Sequence, residues 1–449
     1  MIFTREKDFY RRYFRLTGAI ALQNLILLGV SLGDNMMLGA FNEAAMSGAA
    51  VVGQAQFLLQ MTLAGIGTGA SVIASQHWGK RQTEPIRRIF AVAFWLAIGA
   101  GLIFGVLGTF FPERVLRLLT NEAVVIAQGA EYFRAVAPAY PLFALGHVGV
   151  AMFRSVENPR VGVYLSLVSL VLDTGMNYVF IFGKLGLPAM GARGAALTSA
   201  ISYAVQFVLL LLYAGRFDKK LNFRLRDLFG ARADDFKRYA KTALPLMGSQ
   251  VSWGIAMNLQ SAIMGRLGQG AIAAGAIAAA VFQFAAVVIY ASASASNVVI
   301  GKAVGQGDLQ KVKAYTKTLQ VLFLGLGLVG AATLFFGRNL IIDVYNIVPE
   351  TRALALQFMA VLSVTVIGTA YQMSCLAGVV SGGGDTRFVL INDLIFQWGI
   401  ILPLSALAAF VWHLPPVWVF MFLKSDQILK CAVAVIKVNR FKWMRDLTK

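Results

Sequence analysis

The stretch LTGAIALQNLILLGVSLGDNMMLGAFN, residues 16–42, decides the fold class of this chain, because it is long and apolar enough to cross a bilayer as a helix. Its one charged residue is Asp34. A carboxylate in hydrocarbon costs roughly 2.5–3.5 kcal/mol on insertion scales, so such a group stays protonated, binds a cation or faces water. Asp34 is therefore a candidate ion-binding residue, and a structural hydrogen bond to a neighbouring helix is the alternative.

The rest of the chain has the same apolar character. Of its 449 residues, 58% are hydrophobic and 14% are charged, whereas soluble domains are about 45–50% apolar and about 25% charged. The composition predicts an all-α integral membrane protein with twelve transmembrane helices. The apolar runs lie at 16–41, 50–76, 90–111, 128–153, 161–183, 195–215, 242–265, 275–300, 318–337, 353–380, 388–411 and 417–436.

Lys and Arg are distributed unevenly along this map. Thirty of the 40 basic residues fall in segments on one side of the predicted membrane, nine of them in 216–241, whereas the opposite segments FNEAAMSGA and HLPP have none. The positive-inside rule then places both termini and the segment 216–241 in the cytoplasm. Topology and anionic lipid headgroups account for the net charge of +19, so a nucleic-acid partner is not expected.

The chain also contains an internal repeat. At a shift of 226 or 227 residues the aligned pairs include Gly39 with Gly265, Ala45 with Ala271, Gly79 with Gly305, and Arg160 with Arg387. These ordered matches predict an N-terminal lobe in 1–215 and a C-terminal lobe in 242–449, each of six helices, joined by the cytoplasmic linker 216–241. Because six is even, the two repeats are parallel, and parallel repeats are a transporter architecture.

Polar residues inside the predicted spans are the candidates for function. Asp173 and Asn177 are four residues apart and share a helix face, where their oxygens suit a proton relay or a hard cation. Such residues also hold helices together, and both interpretations stay open. His147 lies in the middle of span four and is expected to be a buried, neutral, hydrogen-bonded imidazole.

Two further aspartates are given structural interpretations. Asp393 follows Arg387 by six residues, so we expect it to lie near the cytoplasmic face and to pair with that Arg. Asp426 precedes Lys430 by four residues, and an ion pair within one helix is expected there.

The apparent catalytic and phosphate-binding motifs of the sequence lack the features that such motifs need. GLGLVG at 325–330 spells a dinucleotide-type pattern but lies within an apolar span and follows no strand. SGGGDT lacks the Lys-Ser/Thr of a phosphate loop, and no metal-spaced His or Cys cluster is present. The sequence therefore predicts no enzyme, no cofactor and no resident metal, and any pumping would draw on an ion gradient or a partner ATPase.

Over essentially its whole length the chain resembles the multidrug and toxic compound extrusion (MATE) transporters, within the multidrug/oligosaccharidyl-lipid/polysaccharide exporter superfamily. The resembling segments include DNMMLGAFNEAAMSGAAVVGQ, GTGASVIASQHWGK, FRSVENPR and SGGGDTRF. The resemblance implies a two-lobed fold and a secondary active antiporter in the inner membrane, expected to be a monomer in the bilayer. Such a protein exports small amphipathic organic cations in exchange for H+ or Na+ by alternating access. A lipid-linked oligosaccharide or lipid flippase, or a membrane protein without transport, is the alternative.

The resemblance also assigns residues. Asp34 matches an acid that forms the ion or proton site of the N-lobe together with polar residues of the fifth span, here Asp173 and Asn177, and Na+ is the metal ion that this site would take. Many relatives carry a Glu soon after the Pro of span seven, whereas this chain has the neutral Gln250 after Pro245. We therefore expect coupling in the N-lobe. The candidates for the substrate cleft are Gln250, Trp253, His147, Asn258 and Gln283, and the secondary structural or coupling candidates are Asp393 and Arg154.

Overall fold

The computed structural model describes residues 3–343, 345 and 347–448, and within them the regular structure is helical. The helices at the predicted spans are α1 (Lys7–Phe41), α2 (Glu43–Gly79), α3 (Thr83–Phe110), α4 (Ala123–Ser155), α5 (Arg160–Phe182), α6 (Gly191–Phe217), α7 (Ala233–Gly265), α8 (Gln269–Gly305), α9 (Leu309–Ile342), α10 (Pro349–Val380), α11 (Thr386–Phe410), α12 (Pro416–Lys424) and α13 (Asp426–Asn439). A helix therefore occupies each of the twelve predicted spans. A short helix at Pro112–Arg117 and a 3₁₀ helix at Leu225–Phe229 lie outside them.

Ten helices in the described residues are long and apolar enough to cross a membrane. The two other predicted spans differ for identifiable reasons. The helix α7 begins with Asp234 and Asp235 in its first turn and has Pro245 in its interior. The last span is divided at Ser425 into α12 and α13, of nine and 14 residues. The charged first turn of α7 lowers its hydropathy, and the break at Ser425 shortens the helices of the last span. Both spans are nevertheless helical.

Prolines and wide helical turns modify several of the helices. In α4 a 3₁₀ turn over Ala137–Ala139 separates two α-helical parts, as expected because Pro138 cannot donate a backbone hydrogen bond. The helices α10 and α11 each contain a seven-residue π-helical segment, Ser374–Val380 and Ile395–Ile401. Segments of this kind are frequent at functional sites.

The helices pack into two compact units. The N-terminal unit comprises Leu22–Ala74 and Arg81–Met247, and the C-terminal unit comprises Met1–Ala21, Ser75–Lys80 and Gly248–Lys449. The start of α1 therefore packs with the C-terminal unit and the start of α7 with the N-terminal unit. The two exchanged parts are related by the same shift of 226 residues as the repeat. The lobe boundaries at 215 and 242, which come from the repeat, stay a prediction.

Buried aromatic side chains explain why the start of α1 packs in the C-terminal unit and the start of α7 in the N-terminal unit. Within the C-terminal unit, Phe9 and Tyr13 of α1 are buried, and the Tyr13 hydroxyl lies 2.7 Å from Ser292 Oγ of α8. Within the N-terminal unit, the buried Tyr239 of α7 donates a hydrogen bond of 2.7 Å to the carbonyl oxygen of Ile66 in α2. Each of these contacts satisfies a buried hydroxyl, which would otherwise be costly in an apolar interior.

Two glycines of the repeat allow the ends of α2 and α8 to cross closely in the C-terminal unit. A Cβ atom on Gly305 would lie 2.0 Å from the carbonyl oxygen of Gln76, and one on Gly79 would lie 2.2 Å from that of Lys302. Gly79 and Gly305 are equivalent in the repeat, and so are Gln76 and Lys302. The same type of contact, a glycine against a backbone carbonyl oxygen of the other helix, therefore occurs twice at the crossing. A larger residue at either glycine would overlap with backbone atoms.

Candidate coupling site

The structure brings Asp34 and Asn177 into direct contact in the N-terminal unit. Asn177 Nδ2 of α5 donates a hydrogen bond of 2.5 Å to Asp34 Oδ1 of α1. Asn177 is 2% exposed and Asp34 is half-buried. Asn177 Oδ1 is buried and has no hydrogen-bond partner among the described residues. This amide oxygen can therefore accept a hydrogen bond from a protonated carboxyl or act as a ligand to a cation.

Asp173 lies one turn before Asn177 on α5 and is 5% exposed. Its carboxylate accepts hydrogen bonds from Ser169 Oγ at 2.7 Å and from Ser202 Oγ of α6 at 2.9 Å. Both oxygens of Asp173 are thus held by hydroxyl groups, and the carboxylate links α5 to α6. The N-terminal acid site consists of Asp34, Asp173, Asn177, Ser169 and Ser202.

The two carboxylates of this site face polar groups without a positive charge. They repel each other when both are ionised. In the part of the chain that the structure describes, no basic side chain forms an ion pair with Asp34 or Asp173. Two acids placed in this way favour binding of a proton or of a small cation.

The donors of the N-terminal acid site fit a hard cation such as Na+, because carboxylate, amide and hydroxyl oxygens all lie there. A group of three or more His, Cys, Asp or Glu side chains that could hold a metal ion is not found among the described residues. The oxygen atoms of the site could therefore bind a proton or an alkali cation.

His147 and Arg154 of α4 lie in the same unit and have other surroundings. Arg154 Nη2 donates a hydrogen bond of 2.6 Å to Gln23 Oε1. His147 is half-buried, and its ring lies 6.2 Å from that of Phe143. Its Nδ1 atom is buried and has no hydrogen-bond partner within the described part of the chain. The hydrogen bond expected of a buried imidazole is therefore not seen at Nδ1.

The other cleft candidates lie in the C-terminal unit. Gln250 and Trp253 on α7 are half-buried. Asn258 is exposed, and its Nδ2 donates a hydrogen bond of 3.0 Å to the carbonyl oxygen of Gly254 on its own helix. Gln283 on α8 is also exposed. Their assignment to a substrate cleft stays a prediction.

The predicted pairing of Asp393 with Arg387 is wrong. The Asp393 carboxylate accepts a hydrogen bond of 2.9 Å from Lys430 Nζ of α13 and another from Ser249 Oγ of α7. Six residues along an α-helix correspond to about 600° of rotation, so Arg387 points roughly 120° away from Asp393. The expected pair of Asp426 with Lys430 is present at 3.6 Å.

Sequence reasoning does not find the groups that hold the carboxylates. Ser169 is four residues before Asp173, a spacing that places both on one helix face and is the one available signal. Ser202 and Ser249 reach their carboxylates from other helices, and no pattern in the chain indicates those contacts. The sequence spacing also pairs Lys430 with Asp426 alone, although its shorter contact is with Asp393.

Twelve helical spans with an internal repeat and an acid site inside one unit define a polytopic membrane transporter. The family model MatE matches residues 19–179 and 245–407. Because these ranges cover more than half of the chain, the chain belongs to the MatE family of transporters, and the predicted family is confirmed.

Similar proteins agree over nearly the full length. The probable multidrug resistance protein NorM of Xanthomonas campestris is 28% identical over 408 residues, 87% of this chain and 86% of that protein. The probable multidrug resistance protein NorM of Mesorhizobium japonicum is 26% identical over 98% of this chain and 95% of its own length. The multidrug resistance protein MdtK of Yersinia pseudotuberculosis is 23% identical over 97% of this chain and 95% of its own.

Solved structures show the same fold. A MOP superfamily transporter from Pyrococcus furiosus has a TM-score of 0.85 at 17% identity and covers 98% of this chain and 96% of its own. An outward-facing multidrug resistance MATE family transporter has a TM-score of 0.85 at 17% identity, with coverage of 98% and 99%. The predicted all-α membrane fold with two six-helix repeats is thereby confirmed, and the chain is a multi-pass membrane protein.

Proposed function

We propose that this chain is a secondary active antiporter that exports amphipathic organic cations in exchange for H+ or Na+. The observation that carries the proposal is the N-terminal acid site, in which Asp34 and Asp173 form no ion pair among the described residues. Such carboxylates are expensive in a membrane and mark ion pathways. The unsatisfied Oδ1 of Asn177 supplies a further oxygen for the ion.

The names of the similar proteins support the proposal that this chain transports drugs out of the cell. NorM and MdtK are named as multidrug resistance proteins. A cationic substrate and a cationic coupling ion suit each other, because both are attracted to the same negative charge. We propose no enzymatic activity and no cofactor beyond the coupling ion.

Coupling requires that the ion and the substrate favour different states of the carrier, since a ligand shifts an equilibrium only by its differential affinity. In this cycle, a proton or Na+ from outside binds at the N-terminal acid site and favours release of substrate. Loss of the ion to the cytoplasm resets the carrier. The inner membrane, cytoplasmic termini and a monomeric state belong to the same proposal, and the basic segments predicted to be cytoplasmic support the orientation.

The test uses proteoliposomes with ethidium as a fluorescent amphipathic cation, under separately imposed Na+ and pH gradients. The variant Asp34→Asn should lose gradient-driven ethidium transport, with a fall of at least about tenfold, because an amide neither titrates nor carries charge. The matched control is Asp8→Asn on the same helix, whose side chain is 62% exposed, and it should transport at the normal rate. Normal gradient-driven transport by Asp34→Asn would disprove the proposal.

A further inference from the structure

The C-terminal unit holds a second buried charge network, built around Lys430. This lysine is 3% exposed, and its ammonium group lies 2.9 Å from Asp393 Oδ1 and 3.6 Å from Asp426 Oδ2. Asp426 is 4% exposed. Lys430 therefore lies between two carboxylates from different helices, α11 and α13.

All four carboxylate oxygens of this network have a donor. Asp393 Oδ1 accepts from Lys430 and Asp393 Oδ2 from Ser249, and both oxygens of Asp426 accept from Gln427 Nε2 at 2.9 Å. One ammonium group thus contacts both aspartates, so the chain itself supplies the counter-ion of this network.

The two units differ in this respect. In the N-terminal acid site two aspartates face hydroxyl and amide groups, whereas in the C-terminal unit two aspartates face the ammonium group of Lys430. The internal repeat shows the same difference at another position. The shift of 226 residues places Gln260 opposite Asp34, so the C-terminal repeat has a neutral amide where the N-terminal repeat has its acid. Gln260 Oε1 lies 3.4 Å from Lys424 Nζ.

We propose that Lys430 is a built-in cation of the C-terminal unit. Its ammonium group takes the position between Asp393 and Asp426 that a soluble cation would otherwise occupy. The C-terminal unit then binds no transported ion, and the exchange cycle uses the N-terminal acid site alone. This inference rests on the proposed antiport, and it identifies Lys430 as the residue that keeps a soluble cation from binding between Asp393 and Asp426.

The test measures binding of Na+ itself, through thermal unfolding of purified protein in NaCl and in choline chloride at equal ionic strength. The parent for all measurements is Asp34→Asn with Asp173→Asn, which removes the carboxylates of the N-terminal acid site. With Lys430 present, the parent should unfold at the same temperature in both salts. Adding Lys430→Ala frees Asp393 and Asp426, so Na+ should raise the Tm by about 2 °C or more, with saturation.

Two further variants serve as controls. Lys430→Arg keeps the positive charge and should show no difference between Na+ and choline. Lys430→Ala combined with Asp393→Asn removes one ligand, and the gained response to Na+ should disappear. If Lys430→Ala does not yield folded protein, Lys430→Gln leaves both carboxylates available with a smaller loss of volume and answers the same question.

Two results would overturn the inference. One is a saturable, Na+-specific rise in Tm of the parent that Asp393→Asn removes, since a soluble cation would then bind beside Lys430. The other is the absence of any Na+ response in folded variants with a neutral residue at 430. Neither result bears on transport by the N-terminal acid site, whose failure is seen separately as normal ethidium transport by Asp34→Asn.

Discussion

Asp173 and Asp393 are both aspartates on membrane helices, but their partners differ. Asp173 accepts from two serine hydroxyls, and Asp393 accepts from an ammonium group and one serine. A hydroxyl stabilises a carboxylate without neutralising it, so Asp173 keeps its capacity to bind a proton or a cation. The ion pair neutralises Asp393, so its main contribution is to stability.

The variants Asp173→Asn and Asp393→Asn should therefore affect different properties, the first transport and the second stability. Asp173→Asn should lower gradient-driven ethidium transport at least about tenfold with a small change in Tm, because the amide preserves shape but not charge. Asp393→Asn should keep ion coupling and lower the free energy of unfolding by about 1–3 kcal/mol, since Lys430 loses its closest counter-ion. Transport assays and thermal unfolding measure the two effects, and the reverse ranking would contradict the site assignment.

Gln250 occupies a half-buried position on α7 and cannot titrate. The variant Gln250→Ala should change ethidium affinity or stability and leave the pH dependence of transport in place. Asp34→Asn should remove that pH dependence. Because the two residues belong to different units, their effects should be roughly additive in the double variant.

Transport rates against pH for both single variants and the double variant are the measurement. A pH profile flattened by Gln250→Ala to the extent seen with Asp34→Asn would contradict coupling by the N-terminal acid site alone. It would place a contribution to coupling on α7.

At the level of helices, the crossing of α2 and α8 depends on the missing side chains of two glycines. The Cβ atom of an alanine at 305 would lie 2.0 Å from a backbone oxygen, whereas one at Gly325 in α9 would have no atom within 4 Å. A backbone oxygen cannot rotate away as a side chain can. The two positions therefore form a matched pair for testing the crossing.

Gly305→Ala should lower the free energy of unfolding by about 1–3 kcal/mol, the range of an overpacked core. Gly325→Ala should leave it unchanged or raise it by up to about 1 kcal/mol, because alanine has the higher helix propensity. Thermal unfolding of both purified variants measures the difference. Equal Tm values for the two would mean that α2 and α8 do not cross as closely as described.

At the scale of the whole molecule, the orientation in the membrane is tested by labelling. Cys375 and Cys431 are first replaced by alanine, since both are free thiols. In that background Lys219→Cys should react with a membrane-impermeant maleimide only after the membrane is permeabilised. The reason is that the segment 216–241 holds nine of the 40 basic residues, which the positive-inside rule places in the cytoplasm. Glu43→Cys, in a segment without Lys or Arg, should react in intact cells. The opposite labelling pattern would overturn the orientation.

Much of the architecture follows from the order of residue types alone. Hydropathy locates the twelve spans, because backbone groups in hydrocarbon must bond within their own helix. Asp34, Asp173 and Asn177 are identifiable because a polar residue stands out in an apolar run. The spacing of four residues places Asp173 and Asn177 on one face of α5. These inferences depend only on local sequence and on the bilayer as solvent.

Other features arise from contacts between residues that are distant in the chain. Lys430 meets Asp393 across 37 positions, and Asn177 meets Asp34 across 143. Hydropathy does not encode which helices are neighbours or how they are rotated, so proximity in sequence pairs Asp393 with Arg387 and is wrong. In the tertiary structure Asp393 pairs with Lys430 of α13. A buried carboxylate without a counter-ion would be too costly, and the packing of the helices brings Lys430 within hydrogen-bonding distance of it.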